Sequence, residues 1–237
     1  MENPSAIREI MNIVADFEKH PEKYPRKLIY LAGGWPQDPP PPVLREAASE
    51  LVGDEAAFNS SARYGPTRGE PDFIERICAY ERGVWGRHVS LDEDGVIVGS
   101  GSTELTAAFM LACLDPGDEL VLTAPGYLNY KRQAEIECLL NVKIKRWPIV
   151  KAHEYEPDPG ELADMMTERT RLVIVCSPGN PDSRMMSDEV LNGVLDVAEE
   201  KGAWVMLDLA YRAFCFGDEP GYLSRRRREN EIIMCTF

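Results

Sequence analysis

From Gly95 onward, short runs of apolar residues alternate with longer segments in which apolar residues recur at helical spacing. The runs predict strands at 96–98, 119–122, 142–147, 172–176, 203–207 and 231–237. The segments between them predict helices at 102–114, 127–139, 160–166 and 187–201. Strands that are apolar throughout and alternate with helices are typical of a mostly parallel sheet covered on both faces. The pattern therefore predicts an α/β fold with three layers.

The beginning of the chain has a different pattern. Apolar positions between 7 and 17 share one helical face, and 44–51 resumes helical spacing. Between these helices, 36–42 contains five prolines and must be extended or turning. We predict an N-terminal helix and arm over 1–45 and a large domain over 46–237.

Composition narrows the class of protein. The 237 residues carry a net charge of −14, which disfavours a nucleic-acid surface. We interpret the basic run at 225–228 as a solvated loop rather than an anion site or a localisation signal. The six cysteines show no C-x-x-C spacing, and we expect reduced, mostly buried thiols and no metal site. No signal peptide or membrane-spanning run is visible, so we expect a soluble cytoplasmic protein.

In open parallel sheets, ligands bind beyond the carboxyl ends of the strands. After the first predicted strand, 99–104 is rich in Gly and Ser and opens a helix. Small residues and free amides at a helix start suit a phosphate, which makes Gly101, Ser102 and Thr103 candidate contacts. The structural alternative is a turn that only caps the helix.

Two further strand ends carry candidate residues. Tyr127 follows the second predicted strand and has a face that suits stacking on a planar ring, or packing on the sheet. Asn180 follows the fourth, where its amide faces the crevice or only forms an Asn-Pro turn.

The fifth predicted strand ends at a carboxylate, Asp208, with Tyr211 three residues later. A carboxylate directly after an apolar strand is costly unless it is paired, and a cationic ring nitrogen would pair it. Tyr211 reaches the same pocket and can donate to a phenolate oxygen. The structural alternative is that Asp208 caps the following turn. Successive strand ends carry residues that each suit a different part of one cofactor. We therefore favour a cofactor site over the structural alternatives.

Five motifs carry a resemblance to a known family. They are Tyr-Gly-Pro-Thr-Arg-Gly at 64–69, Asp-Pro-Gly-Asp at 115–118, Pro-Gly-Tyr at 125–127, Ser-Pro-Gly-Asn-Pro at 177–181 and Asp-Leu-Ala-Tyr at 208–211. The chain resembles, from about 5 to 237, the class I/II aminotransferases that depend on pyridoxal phosphate (PLP), in the fold type I, aspartate aminotransferase superfamily. Segments 5–9 and 31–34 are similar to the entry segment of the aminoadipate/kynurenine-type subgroup.

The resemblance implies a role for each candidate. Asp208 would pair with the pyridine nitrogen, while Tyr211 and Asn180 would contact the ring hydroxyl. Gly101, Ser102, Thr103 and Thr236 would bind the phosphate, and Tyr127 would stack on the ring. Tyr64 would reach the cofactor phosphate of the partner subunit in a homodimer, and Gly34 would lie near the substrate carboxylate.

The sequence also departs from the family pattern. Asn180-Pro-Asp-Ser183 replaces N-P-T-G, and Asp208-Leu-Ala-Tyr211 replaces D-E-x-Y. The lysine that forms the Schiff base and the later arginine that binds the substrate carboxylate are absent from the chain. We therefore expect a large domain that is incomplete at its C-terminus, and a chain that is inactive alone and binds PLP only non-covalently.

The implied function is transfer of an amino group between an amino acid and a 2-oxo acid in amino-acid metabolism and biosynthesis. Which amino acid is used stays open, with a broad-range or aromatic/aminoadipate-type enzyme favoured over a strict aspartate one. Two alternatives also stay open. One is a fold type I C–S lyase or an aminocyclopropane-carboxylate-synthase-like enzyme, and the other is a non-catalytic PLP-binding or interaction protein.

Overall fold

The computed structural model describes residues 6–31, 38–90 and 94–236. The chain divides into two compact units, Met1–Tyr64 and Gly65–Phe237. In the first unit, helices α1, α2 and α3 span Ala6–Lys19, Pro42–Gly53 and Glu55–Ser61. The Asp54 side chain begins α3 by accepting a hydrogen bond from the Ala57 amide at 3.0 Å. Among the side chains described in this unit, none is buried.

The second unit is built on a parallel sheet, five-stranded in the described residues, with strand order β2-β1-β5-β6-β7. Its strands are β1 Glu119–Ala124, β2 Lys143–Pro148, β5 Thr170–Cys176, β6 Trp204–Asp208 and β7 Glu231–Met234. A small antiparallel pair, β3 Val150–Lys151 and β4 Glu154–Tyr155, follows β2. The predicted α/β class with a mostly parallel sheet is confirmed.

Helices cover both faces of this sheet. They are α4 Pro71–Trp85, α5 Gly101–Cys113, α6 Leu128–Arg132, α7 Pro159–Met165 and α8 Asp188–Glu200. Alternate strand residues enter two separate cores: Val173 and Val205 pack with the α7 and α8 side, whereas Leu172 and Met206 pack with the α5 and α6 side. Both sets are fully buried, which explains why these strands are apolar throughout.

Three predicted elements differ from the structure. Segment 96–98 is not a strand, because no described strand lies beside it, and the Val98 amide instead bonds to the Arg68 carbonyl at 2.9 Å. The helix predicted over 127–139 is α6 followed by a π-helical turn, Gln133–Glu137. The final strand, predicted over 231–237, ends at Met234.

The basic run at 225–228 is not a merely solvated loop. Arg225 forms two hydrogen bonds to the fully buried Glu231, at 2.7 and 2.9 Å. Arg226 pairs with Asp94, and Arg228 with Asp196 and Glu199 on α8. The run therefore fastens the loop before β7 to the body of the unit. The cysteines are unpaired thiols, and of these Cys78 is buried while the other five are half-buried.

Candidate active site

The strands of the second unit bring several side chains to one edge of the sheet. Because the five strands are parallel, their carboxyl ends lie along the same edge. Cys176 and Asp208 are register partners at the ends of β5 and β6, and Asp208 is opposite Met234 of β7. Segments 124–127, 177–181 and 209–211 all leave the sheet here. This edge is the candidate site.

Asp208 is the centre of the site. Its side chain is buried, and Tyr130 Oη donates a short hydrogen bond to Oδ2. The Ala210 amide donates to Oδ1 at 2.9 Å, so one carboxylate oxygen does cap the following turn. Burial raises the pKa of the Asp208 carboxyl, and the hydrogen bonds from Tyr130 and Ala210 oppose that rise.

In the part of the chain that the structure describes, no ion pair reaches Asp208. Its two hydrogen-bond donors are neutral, so the negative charge of this buried carboxylate is uncompensated. A cationic ring nitrogen would supply the compensation. The residues at this edge therefore fit the pyridine ring of PLP.

Asn180 and Tyr211 meet above the strand ends. Asn180 Nδ2 donates to Tyr211 Oη at 3.0 Å, across 31 positions of sequence. Because the Tyr211 oxygen accepts this bond, its own hydrogen is available for another acceptor. Tyr211 is 38% exposed, so a ligand can reach it. The pair presents a phenol donor at the same edge of the sheet as Asp208.

Tyr127 lies next to these groups. Burial raises the pKa of its phenol, with further contributions from the nearby Tyr211 and Asp208. Its ring contacts Tyr130 edge-to-face, with 5.3 Å between centroids and 82° between planes. Asn129 Nδ2 holds its hydroxyl at 2.9 Å. Stacking of Tyr127 on a cofactor ring stays a prediction.

The predicted phosphate contacts lie at the start of α5. Ser100 precedes the helix and makes no side-chain cap bond. Gly101 has φ +82°, and a Cβ added there would meet no atom within 4 Å, so the backbone is open to an approaching group. Gln133 Nε2 donates to the Thr103 carbonyl at 2.6 Å, and Thr106 Oγ1 donates to the Ser102 carbonyl at 2.7 Å. These bonds fix the first turn.

The remaining predicted residues are less closely placed. Thr236 is exposed, two residues after the end of β7. Tyr64 is fully exposed and belongs to the first compact unit. Gly34 lies outside the described residues. The roles assigned to all three stay predictions.

Three residues of this edge had no role assigned from the sequence. Tyr130 contacts Asp208 across 78 positions, and Gln133 reaches Thr103 across 30. Burial and the adjacent Asp208 raise the pKa of the Cys176 thiol to about 12, so the group is neutral near pH 7. Tyr130 follows Tyr127 by three residues, which places both on one helical side and was the available signal.

No helix in the described residues has the length and apolar character needed to cross a membrane. No group of three or more His, Cys, Asp or Glu side chains in that part of the chain is placed to hold a metal ion.

The chain is similar in sequence to proteins of one known family. Residues 26–237 match the family described as aminotransferase class I and II. An aspartate aminotransferase of Pyrococcus horikoshii is 26% identical over 234 residues, which cover 98% of this chain and 55% of the relative. A probable aspartate/prephenate aminotransferase of Aquifex aeolicus is 24% identical, covering 89% of this chain and 50% of the relative. The chain thus spans about half the length of the curated relatives it matches.

Solved structures agree with the fold. Aspartate aminotransferase from Thermus thermophilus with maleate superposes with a TM-score of 0.83 at 22% identity, covering 98% of this chain and 57% of that one. Alanine aminotransferase from Pyrococcus furiosus gives 0.81 at 24% identity, covering 99% and 57%. By the family match over residues 26–237, the chain belongs to the class I and II aminotransferases.

Proposed function

We propose that this chain forms the PLP-binding part of an aminotransferase that moves an amino group between an amino acid and a 2-oxo acid. The observation that carries the proposal is Asp208, a buried carboxylate with no ion pair in the described residues, at the sheet edge that also carries the hydrogen-bonded Asn180 and Tyr211. Membership of a PLP-dependent family supports it.

Each group at the edge has a task in binding. Asp208 would hold a proton on the ring nitrogen, because a buried anion favours the protonated partner. Tyr211, positioned by Asn180, would donate to the ring hydroxyl oxygen. When bound, PLP supplies an electron-withdrawing ring that stabilises negative charge developing on the amino-acid carbon.

The phosphate and the ring face have their own candidates. The start of α5, with Gly101, Ser102 and Thr103, would accept the phosphate through main-chain amides and hydroxyls. Thr236 would add a hydroxyl. Tyr127 would cover one face of the ring and exclude water from it.

Several finer points belong to the same proposal. We propose a cytoplasmic homodimer in which Tyr64 contacts the partner's cofactor phosphate, with Gly34 near the substrate carboxylate. Residues 1–45 would form the arm and 46–237 the incomplete large domain. The two curated relatives are named an aspartate and a probable aspartate/prephenate aminotransferase, and one similar structure is an alanine aminotransferase, whereas the entry segment favours aromatic or aminoadipate-type substrates. Several amino acids should therefore be tested.

The decisive experiment assays the natural polypeptide with aspartate, phenylalanine or 2-aminoadipate as donor and 2-oxoglutarate as acceptor. An aminotransferase converts each donor into its 2-oxo acid and yields glutamate. Release of ammonia or a thiol without glutamate would instead identify a lyase. PLP binding with neither product would identify the non-catalytic alternative.

A second experiment uses the 237 residues as they stand. We expect PLP to be removed by dialysis and to leave no pyridoxyl-lysine after borohydride reduction. Peptide mapping that finds stoichiometric pyridoxyl-lysine would contradict the prediction that this chain binds the cofactor only non-covalently.

A further inference from the structure

The candidate site contains a hydrogen bond between two side chains that belong to different loops. Asn180 follows β5 and Tyr211 follows β6, and 3.0 Å separates Asn180 Nδ2 from Tyr211 Oη. Asn180 is half-buried and Tyr211 is 38% exposed, so packing encloses neither side chain on all sides. The relative position of the two groups therefore depends on how firmly the fold holds the two loops.

A buried arginine holds the loop that carries Tyr211. Arg212 is 3% exposed, and its Nη1 donates to one oxygen of Glu81 on α4 at 2.8 Å, while its Nη2 donates a short bond to the other oxygen. The guanidinium also lies 4.7 Å from the centroid of the Trp85 ring. A planar fork with two acceptors and an aromatic ring beside it has one preferred position. Because Arg212 directly follows Tyr211, this position also restrains the main chain of Tyr211.

A buried tyrosine holds the loop that carries Asn180. The hydroxyl of Tyr222 lies 2.8 Å from Oγ of Ser177, and the same Oγ accepts a hydrogen bond from the Met186 amide at 2.9 Å. Ser177 precedes Asn180 and Met186 follows it, so the serine hydroxyl connects the beginning of the loop to its end. Tyr222 and Ser177 are 0% and 1% exposed, so water does not compete for these bonds.

The two supports meet at Glu81. Arg87 Nε lies 3.7 Å from Glu81 Oε2, and Arg87 Nη2 donates to the Tyr222 carbonyl at 2.8 Å. The Glu81 carboxylate therefore faces both Arg212 and the arginine that bonds to Tyr222. In a buried polar network, the movement of one member costs hydrogen bonds of the others. Both loops of the site are thus connected to one helix, α4.

We propose that Arg212 and Tyr222 are positioning residues, which hold the Asn180–Tyr211 pair in the geometry that receives the ring hydroxyl of PLP. This inference rests on the proposed function, to which it adds two buried residues. A donor that is already in place loses little conformational freedom when the cofactor binds. Without the supports, Tyr211 would spend part of the time away from Asn180, and the affinity for PLP would fall with the fraction of competent molecules.

The first measurement needs no cofactor. NMR follows the exchange with water of the Asn180 side-chain amide protons in the full chain, as wild type, Arg212→Lys and Tyr222→Phe. Lysine keeps a positive charge beside Glu81 but lacks the planar fork, and phenylalanine removes only a hydroxyl, so circular dichroism should show both variants folded. We expect exchange at Asn180 to be at least about threefold faster in each variant.

The matched controls make the same chemical changes elsewhere in the second unit. Arg228→Lys removes a guanidinium that bonds to two carboxylates of α8, and Tyr155→Phe removes a phenol from the core that contains Tyr222. Neither control should change exchange at Asn180. Equal acceleration in controls and test variants would mean that any loosened contact frees the pair, which would overturn the assignment. Unchanged exchange in Arg212→Lys and Tyr222→Phe would overturn it too.

A double-mutant cycle tests whether Arg212 acts through Tyr211. Tyr211→Phe should raise the dissociation constant for PLP, measured from its absorbance, about fivefold, as for the loss of a neutral hydrogen bond. Arg212→Lys should raise it about two- to threefold alone, but not further in Tyr211→Phe, because the positioned bond is already absent. An equal rise in both backgrounds would mean that Arg212 supports the site in general, and would overturn the proposal. If Arg212→Lys does not fold, Tyr222→Phe with Asn180→Ala forms the cycle and the same criteria apply.

The outcomes separate this inference from the proposed function. A wild-type chain whose titration shows no PLP binding would overturn the proposed function, while the exchange at Asn180 would still decide whether Arg212 and Tyr222 hold the pair. PLP binding by the wild type with additive effects in the cycle would support the proposed function and overturn the positioning role.

Discussion

The two edges of the central sheet treat buried carboxylates differently. At the amino edge, Glu119 begins β1 and contacts Lys145 at 2.6 Å, while Glu231 begins β7 and pairs with Arg225. At the carboxyl edge, Asp208 is equally buried, yet its partners are a phenol and an amide. Where every charge has a counter-charge within the fold, the carboxylate stabilises the fold. Where the counter-charge is missing, a ligand can supply it.

Glu81, in a helix, is another buried carboxylate that has counter-charges within the fold. It is buried on α4 and receives Arg212, whose guanidinium also lies 4.7 Å from the Trp85 ring centroid. Arg87 is the second cation beside it. Arg212 directly follows Tyr211, so this cluster anchors the chain just behind the candidate site.

The largest effect should therefore come from Glu81→Leu. Removing this carboxylate takes from the buried Arg212 the acceptor of two hydrogen bonds and from Arg87 a nearby carboxylate, and we expect the free energy of unfolding to fall by about 3–5 kcal/mol. Urea denaturation followed by circular dichroism measures the change.

The matched control is Glu75→Leu, because Glu75 is an exposed residue of the same helix. It should change the stability by less than about 0.5 kcal/mol. If both variants lost the same small amount of stability, the distinction between carboxylates paired within the fold and Asp208 would be wrong.

The next effect is a pH dependence of the free energy of unfolding, which arises from Glu119 at the amino edge of the sheet. Burial alone would raise the pKa of Glu119, but hydrogen bonds from Lys145, Thr167 and Thr170 outweigh it and lower the pKa from 4.5 to about 2. A lowered folded pKa contributes stability that is complete above the unfolded value and is lost as the pH falls toward the folded one. At about 1.4 kcal/mol per pKa unit, the contribution is on the order of 3 kcal/mol.

Glu119→Gln should remove this part of the acid sensitivity. Between pH 5 and pH 3, the free energy of unfolding should decline less in the variant than in the wild type. Glu154→Gln, at an exposed position, is the control and should follow the wild-type curve. Parallel curves for all three proteins would mean that Glu119 is not held as an anion by its neighbours.

The sequence predicted the sheet because its signal is local. Each run such as 172–176 is apolar at consecutive positions, since alternate residues fill two different cores. The position of Asp208 at a strand end was visible for the same reason. Helix α4 was not predicted, because its buried stripe of Ile74, Cys78 and Glu81 contains a charged residue that interrupts the apolar period.

What the sequence could not show depends on contacts between distant segments. Nothing in the spacing of Tyr130 and Asp208 indicates their hydrogen bond, and Arg212 meets Glu81 across 131 positions. The failure of 96–98 as a strand is of the same kind, because a strand needs a neighbour and the sequence of one segment does not supply it.

At the carboxyl edge, Asp208→Asn tests whether the uncompensated charge serves a ligand. Asparagine preserves the shape, its oxygen can still accept from the Ala210 amide and its NH2 group can donate to the Tyr130 oxygen, but it cannot compensate a cationic ring nitrogen. A charge-assisted hydrogen bond contributes about 1.5–3 kcal/mol, so we expect the dissociation constant for PLP to rise about 10- to 100-fold. The binding is measured from the absorbance of PLP at increasing protein concentration.

Asp164→Asn, an exposed change of the same type on α7, should bind PLP as the wild type does. The stability of Asp208→Asn should be equal to or above that of the wild type, because a buried charge is removed. A large loss of stability with unchanged PLP binding would place Asp208 in the same class as Glu81 and break the comparison.

The smallest effect should come from Tyr130→Phe. Loss of the phenol removes a neutral donor from the Asp208 carboxylate, so the pKa of Asp208 should rise further and the anion should be less available near neutral pH. A hydrogen bond of this kind contributes about 1 kcal/mol, and we expect PLP binding to weaken about fivefold, more at pH 6 than at pH 8. Carboxyl ¹³C titration follows Asp208 directly, and Tyr155→Phe on β4 is the control. A Tyr130→Phe variant with an unmoved Asp208 titration would mean that burial alone sets the charge at this edge, and that its neutral donors only fix the position of the side chain.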